Sequence, residues 1–337
     1  MKQGLFSLQP DDYFMINGEM IEGCGEDSFY AASSEYTSVL AVFDGCGGIG
    51  SRKYPRFSGH SGAYMSARAI SGAMHDWFHD FDGGMSLDSQ EIGTTMQDYF
   101  RNAVDLLHRI GDTSSSRLSG MLVREFPSTA AVALARKTAG SGKKESEVLK
   151  AGGPDSQGIE LHCLWAGDSR IYLLDEDGLA QLTVDDIADH DAMHNLRADG
   201  ALTNMVAADG TFSLHHRVLR LKEPVVILAS TDGCFGYLPT PMDFEDLLLS
   251  SLLQADCPRA FEEALRKEIL EVAGDDYTLG FMCFGFESFS ALKNHFKKRS
   301  AGLLKKYIRP MTENGSEEFA EKLWLSYKND YLRYLKR

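Results

Sequence analysis

The chain has 337 residues, 43% hydrophobic and 10% aromatic, enough for one large core or two ordinary ones. Its 49 acids against 34 bases give a net charge of −15, which repels nucleic acid from most of the surface and argues against non-specific DNA or RNA binding. No stretch approaches the ~18 to 20 apolar residues of a membrane span, and Met1 to Phe14 lacks the basic start and apolar run of a secretory leader. The six cysteines are scattered, without a C-x-x-C pair or a disulfide-framework spacing, so free thiols in a reducing cytoplasm are expected.

In chain order, Val39–Phe43 is an apolar run of strand length that stops at Asp44-Gly45. Two amphipathic helices follow, on Ala63, Ala67, Ile70, Met74, Trp77 and Phe81, then on Met96, Phe100, Ala103, Leu107 and Ile110. His75 and His79 flank Trp77 on the outer face of the first. Thr129–Ala135 and the alternation Ile159, Leu161, Cys163, Trp165 read as strands, separated by a Gly/Ser/Lys/Glu-rich segment, 138–158, that reads as an exposed loop. Within it, Gly140-Ser141-Gly142-Lys143 is not a P-loop, because Lys137 stands where the first Gly belongs. His190 and His194 share a helix-like i, i+4 spacing in a polar, acid-rich segment and read as a solvated face. Val225–Ala229 is a further strand. A second helix pair follows on Phe244, Leu247, Leu248, Ser251 and on Phe261, Leu265, Ile269, Val272, ended by Gly274, before the alternating strand Leu279, Phe281, Cys283.

Residues 289–337 carry 12 Lys/Arg against 5 Asp/Glu, a net of +7 that leaves −22 for the rest of the chain. After an N-cap at Ser316, Trp324, Tyr327, Tyr331 and Tyr334 make one apolar helix face, expected to dock on its own domain, with a partner or acidic surface as the alternative. Helix pairs inserted as blocks between strands point to an antiparallel sheet covered by helices rather than to βαβ alternation.

Four acids, Asp44, Asp168, Asp232 and Asp275, each sit at the end or start of a strand. One Asp-Gly after a strand is an ordinary turn. Four converging carboxylates repel one another unless cations lie between them, and hard oxygen ligands of this kind select Mg²⁺ or Mn²⁺ over zinc.

In order, Gly25-Glu26-Asp27, Val42-Phe43-Asp44-Gly45-Cys46-Gly47-Gly48, Ser128-Thr129-Ala130, Ala166-Gly167-Asp168-Ser169-Arg170, Leu182-Thr183-Val184-Asp185-Asp186, Leu228-Ala229-Ser230-Thr231-Asp232-Gly233 and Asp275-Asp276-Tyr277-Thr278-Leu279 resemble the successive motifs of the protein phosphatase 2C family, bacterial type. The resemblance spans residues 20–286. It implies an α+β fold of four αββα layers, a central antiparallel β-sandwich flanked by two pairs of helices. It divides the chain into a catalytic domain over 1–288, with a flap over about 183–217, and a basic helical extension over 289–337. It implies hydrolysis of phosphoserine and phosphothreonine on proteins by a water activated on two Mn²⁺ or Mg²⁺ ions, or three, in the cytoplasm, opposite a cognate Ser/Thr kinase. Asp44 would bridge two ions, with the Gly45 carbonyl on one, Asp232 and Asp275 on the other, Glu26 and Asp27 holding metal-bound water, and Asp168 on a third ion; Asp44 and Asp232 are thereby the expected catalytic pair. The chemistry is that paired cations lower the pKa of a bridging water and offset the charge of the phosphate.

The sequence departs from the family at Glu22, where a phosphate-binding Arg is usual, at Cys46, where many members carry a His, at Asp186 in place of a frequent His, and at Asp276 in place of a frequent Asn. Arg52 and Arg56 are the expected substitutes for the missing Arg, and the last change leaves Asp275 and Asp276 as alternative ligands. Glu22 and Cys46 also admit a pseudophosphatase that works as a binding module, and a phosphatase of small molecules is the third reading. Cys46 with Arg52 matches the C-x₅-R loop of the thiol phosphatases, but Pro55 follows at once where that loop needs a helix. Cys24, Cys46 and Cys234 each lie within three residues of a site acid, so oxidation sensitivity stands against simple packing under strand ends.

Overall fold

The computed structural model describes residues 10, 12–35, 37–81, 87–111, 125–137, 158–188, 191–193, 196, 200–208 and 210–335. Its elements are, in chain order, β1 (Asp12–Gly18), β2 (Ser28–Ser33), β3 (Thr37–Phe43), α1 (Gly47–Gly50), α2 (Gly62–Phe81), α3 (Ser89–Gly111), β4 (Ala130–Lys137), β5 (Ile159–Ala166), β6 (Arg170–Asp175), β7 (Gly178–Gln181), β8 (His215–Leu221), β9 (Val225–Ser230), α4 (Pro241–Gln254), α5 (Pro258–Leu270), β10 (Tyr277–Phe284), α6 (Phe289–Leu303), α7 (Arg309–Asn314) and α8 (Glu317–Tyr331).

The strands make two five-stranded sheets, ordered β1-β10-β9-β6-β7 and β2-β3-β4-β5-β8, and every pairing within them is antiparallel. Their inner faces meet through Leu40, Val42, Ala131, Ala133, Leu161, Ile171, Ile227 and Met282, all essentially excluded from water. The contact is close. A Cβ on Gly280 of β10 would stand 2.5 Å from Cδ1 of Leu40 on β3 in the opposite sheet, so the Leu40 side chain fills the space that glycine leaves between the layers. The outer face of the β3 sheet is covered by α2 and α3, whose buried stripes join Val39, Phe43 and Val132 in one core. The outer face of the β9 sheet is covered by α4 and α5, and α6, the π-helical turn Leu304–Ile308 and α8 extend that same core through Phe296, Tyr307, Trp324, Tyr327 and Tyr331. The result is the four-layer α+β sandwich with a helix pair on each side.

The helical stripes follow the apolar spacing, with differences at their ends. In α3 the buried residues are Ile92, Met96, Phe100, Val104 and Leu107, whereas Ile110 is exposed because the last turn runs beyond the sheet. In α5 the buried positions are Phe261, Leu265 and Ile269, and the helix stops at Leu270, which leaves Val272 exposed. Each fully buried side chain of this kind contributes roughly 1.5–3 kcal/mol. His75 and His79 stand on the exposed side of α2 about the buried Trp77. The segments 138–157 and His190 and His194 lie outside the described residues. Ser316 caps α8, its hydroxyl accepting from the N–H of Phe319, and Tyr334 falls in the turn beyond the helix. No described helix is long and apolar enough to cross a membrane.

Candidate metal centre

β3 leaves the sheet at Asp44 under tight control. The Asp44 N–H donates to the Thr129 hydroxyl at 3.2 Å, while its carbonyl accepts from the Thr129 N–H at 2.8 Å and the Ser128 hydroxyl at 2.9 Å. Gly45 follows with its N–H on the Glu26 carbonyl at 3.2 Å, and a Cβ there would meet the Ala63 carbonyl oxygen at 2.5 Å, backbone that cannot yield. The chain therefore turns past Ala63 only because residue 45 is glycine.

Three other strand ends face this point. At the β5–β6 turn Gly167 adopts φ +98°, in the left-handed region, and the next residue is Asp168. One carboxylate oxygen of Asp168, Oδ1, is buried without a hydrogen-bond partner. After β9, Asp232 opens a short 3₁₀ turn whose backbone abuts the Asp276 carbonyl, so that a Cβ on Gly233 would overlap it. Asp27, at the entry to β2, is buried and its Oδ2 accepts the hydroxyls of Thr231 and Thr278, each at 2.8 Å. Glu26 is half-buried and accepts the hydroxyl of Ser61.

Electrostatics tie these acids into one cluster. Burial above all, then the charges of Asp232, Asp27, Asp168 and Asp275, holds the Asp44 carboxyl well above the usual carboxylate range. Burial pushes Asp27 up to about 8 against the pull of its two threonine hydroxyls, and burial with the Asp232 charge pushes Asp168 up to about 8. Asp232 is raised by burial and by the charge of Asp275. Burial raises Glu26 too. Among the described residues no three acid, His or Cys side chains close into a metal cage. The donor set is nevertheless one of hard oxygens, with an orphaned buried oxygen on Asp168, and it fits Mg²⁺ or Mn²⁺ rather than a soft metal.

Asp275 and Asp276 separate cleanly. Asp276 uses Oδ1 on the N–H of Met20 and Oδ2 on the N–H of Glu26, both at 2.7 Å, whereas the exposed Asp275 acts electrostatically on Asp44, Asp232 and Glu26. Asp186 is likewise occupied. It accepts the Gly167 N–H at 3.0 Å, the Asn204 side-chain amide at 2.7 Å and, through Oδ1, the ring of His215 at 2.8 Å, and so fastens the segment after β7 to the Asp168 turn.

The two arginines are placed beside this cluster but turned from it. Arg52 points to Glu125 at 3.4 Å and lies over the Tyr54 ring; Arg56 donates to the Ile110 carbonyl at 3.2 Å at the end of α3. Glu22 is exposed in the β1–β2 connection. Cys46 precedes the four-residue α1, and burial, Asp44, Asp168 and Asp232 push its thiol upward, the opposite of what a nucleophilic thiolate needs. Cys24 is exposed and Cys234 is buried.

Sequence reasoning left out the buried cation beneath the cluster. Arg170 grips Asp185 with Nε at 3.0 Å from Oδ1 and Nη2 at 2.6 Å from Oδ2, donates to the Tyr172 hydroxyl at 3.2 Å, and stacks 4.2 Å over the Phe235 ring. Both residues stood within recognised motifs; the signal that pairs them is the short spacing of Arg170 and Asp185 across the β6–β7 hairpin.

No family model and no curated protein matches the chain in sequence. Its fold does match solved structures. The serine/threonine phosphatase Stp1 from Staphylococcus aureus superposes with a TM-score of 0.56 at 13% identity, covering 84% of this chain and 98% of that one. The Mycobacterium tuberculosis serine/threonine phosphatase PstP/Ppp gives 0.51 at 14% identity over 81% and 98% of the two chains. A PstP catalytic domain in complex with two manganese ions gives 0.50 at 16% identity over 80% and 96%. The chain has the fold of the PPM-type, or 2C-like, bacterial Ser/Thr phosphatases.

Proposed function

We propose that the chain is a metal-dependent hydrolase of phosphoserine and phosphothreonine on proteins. The observation that carries the reading is the convergence of Asp44, Asp168, Asp232 and Asp27 from four strand ends into one electrostatically coupled cluster with an unpartnered buried oxygen. In this reading Asp44, Asp232, Asp275, Asp168, Glu26, Asp27 and the Gly45 carbonyl hold two Mn²⁺ or Mg²⁺ ions, or three, which supply an activated water and offset phosphate charge when bound. The chain's own residues do the rest. The Thr231 and Thr278 hydroxyls hold Asp27 in one rotamer, the Thr129 and Ser128 contacts hold the Asp44 backbone, and Asp276 holds Glu26 at its amide. Arg52 and Arg56, on the loop that leads through Ser61 to Glu26, would leave Glu125 and the Ile110 carbonyl to meet the substrate phosphate. A catalytic unit over 1–288, a flap over 183–217, an extension over 289–337, a cognate kinase and a cytoplasmic setting complete the proposal.

A second reading, the pseudophosphatase, is favoured by one observation, the exposed acid Glu22 on the connection that leads to the cluster. Hydrolysis of a phosphothreonine peptide with Mn²⁺, Mg²⁺ or EDTA separates the two. Activity that requires either metal, is lost in Asp44→Asn and survives in Cys46→Ser supports the hydrolase. Metal binding by calorimetry without turnover supports the pseudoenzyme, and turnover confined to small phosphate esters points to a small-molecule phosphatase.

A further inference from the structure

From Ser288 to Thr312 the chain carries seven Lys and Arg and no Asp or Glu, in a protein whose net charge is −15. The segment runs through α6, the π turn and α7 without leaving the helical backbone region, and it divides its cations in two. Lys293 donates to the Ala255 carbonyl, and Arg299 pairs with Glu245 of α4 through Nε at 2.6 Å and Nη2 at 2.8 Å, so both serve to dock the rod. Lys297, Lys298, Lys305, Lys306 and Arg309 stand exposed on the side opposite the buried Leu292, Phe296, Ser300, Leu303 and Tyr307. Lys306 lies over the Tyr307 ring at 4.8 Å, and none of the five pairs with a carboxylate among the described residues.

The ridge offers charge and no anchor. Its other exposed residues include Asn294, Ala301 and Gly302, and no large apolar side chain between Ser288 and Thr312 is exposed. A specific protein partner needs an aromatic or aliphatic anchor, and a reader of single-stranded nucleic acid needs exposed rings for the bases; this ridge has neither. Five cations spread over roughly 18 Å of a convex rod are complementary instead to a flat, diffuse field of negative headgroups, where each Lys or Arg near the surface strengthens binding about fivefold. A helix is about 10 Å thick, more than the Debye length of about 8 Å at physiological salt, so the acids behind the rod are screened from a surface that touches the ridge. We propose that this ridge is a peripheral, reversible docking surface for an anionic lipid bilayer. The contact is ionic and without insertion, because no large apolar side chain is presented to the acyl chains. The acid centre lies at the strand ends, whereas α6 belongs to the helical cover of the β9 sheet, so docking on the ridge leaves the centre open. The inference stands independently of the chemistry at that centre.

The test is co-sedimentation of the full chain with vesicles of phosphatidylcholine alone or with roughly one-third phosphatidylglycerol. Wild type is expected to bind the mixed vesicles and not the neutral ones, and to be released as salt rises from about 50 to about 500 mM. The pair Lys298→Gln, Lys305→Gln, at exposed positions and with helix propensity kept, is expected to lower the affinity about ten- to twenty-five-fold, and Gln at all five positions at least about a hundredfold. The control pair Arg259→Gln, Lys267→Gln removes two equally exposed cations from α5 and is expected to stay within about threefold of wild type. Wild type that stays in solution beside the mixed vesicles at the lower salt overturns the proposal. So do equal losses in the two pairs, which would assign binding to overall charge. Tighter binding through the same five residues of a polyglutamate peptide, a duplex RNA or a second copy of the chain, read by fluorescence anisotropy and sedimentation velocity, would give the ridge another occupant and overturn it as well.

Discussion

Asp276 accepts the backbone N–H of Glu26 with one carboxylate oxygen and that of Met20 with the other, both at 2.7 Å, and so staples the β1–β2 connection to the start of β10. Its exposed neighbour Asp275 accepts the Asp276 N–H at 2.8 Å and bears on Asp44, Asp232 and Glu26 through its charge. The pair therefore divides its labour, one carboxylate for architecture and one for charge. Asp276→Ala is expected to cost about 1.5–3 kcal/mol of stability, because it removes charged acceptors from two amides. Asp275→Asn is expected to leave the denaturation midpoint within about 0.5 kcal/mol and to weaken Mn²⁺ binding at least roughly tenfold. Urea denaturation and calorimetry on both variants check this; the opposite assignment would exchange the two phenotypes.

Arg52 is only lightly committed to Glu125. An ion pair at 3.4 Å with Arg52 at 42% exposure contributes about 1 kcal/mol or less, so substrate phosphate can compete with Glu125 for it. Replacing both arginines by Ala is expected to raise KM for a phosphopeptide about five- to twentyfold with kcat nearly constant, the signature of lost ground-state binding. Unchanged KM would shift attention to Lys53, which is exposed and is bridged through its backbone to Ser61, the residue bonded to Glu26.

Much of this was legible in the chain itself. Apolar runs ending in Asp-Gly located Asp44 and Asp232, because a strand that must bury both faces announces itself by composition, and its end is where polarity resumes. The two helix pairs were legible from their three/four spacing for the same reason. What was not legible depended on partners distant in sequence. β1, β2 and β6–β8 are short or half-exposed strands whose pattern is set by their neighbours in the sheet. The part played by Asp276 turned on two amides some 250 residues away, and the ring contact of Tyr331 with Tyr172 spans nearly half the chain, beyond the reach of any local pattern.

On the outer face of the β3 sheet, the buried His162 lies 3.0 Å from Nε2 of His216 and 3.0 Å from a Glu160 oxygen. Donation from His162 Nε2 to the carboxylate leaves Nδ1 as acceptor, so His216 must donate, and both rings are neutral. Burial lowers His162, and burial with the nearby His162 and Arg136 lowers His216 to about 4. Hydrogen bonding from His162 lowers Glu160 to about 2. The signs agree. The unfolded chain takes up a proton on His216 from about pH 6.5 downward while the folded chain resists until about 4, so stability is lost as pH falls across that window, and the lowered His162 acts in the same direction. The Glu160 contribution, complete above the ordinary Glu value of 4.5, is lost as pH falls on toward 2. His216→Gln, which keeps a donor, is expected to flatten the pH 6.5-to-4 slope of the unfolding free energy by about 1 kcal/mol, solvent screening allowed for. Denaturant titrations at pH 7, 5.5 and 4.5 would show it; a slope identical to wild type would remove the histidine pair from the account.

Arg170 and Asp185 are 2% and 6% exposed, so neither charge can be solvated if the other is lost. Arg170→Met is expected to destabilise the fold by about 3–5 kcal/mol, because the buried Asp185 keeps the Gln181 amide but loses a two-pronged guanidinium and its charge. Restoring neutrality with Asp185→Asn in the same chain is expected to recover at least half of that loss, since two neutral groups of similar size carry no uncompensated charge. The recovered chain would still lack the cation beside Asp168 and Asp232, whose proximity favours their ionised forms. Mn²⁺ binding by the double variant is therefore expected to stay weaker than wild type even where its denaturation midpoint returns. A double variant that recovered stability and full Mn²⁺ affinity together would confine Arg170 to packing; one that recovered neither would show that the bidentate geometry, not the charge balance, is what stabilises this pair.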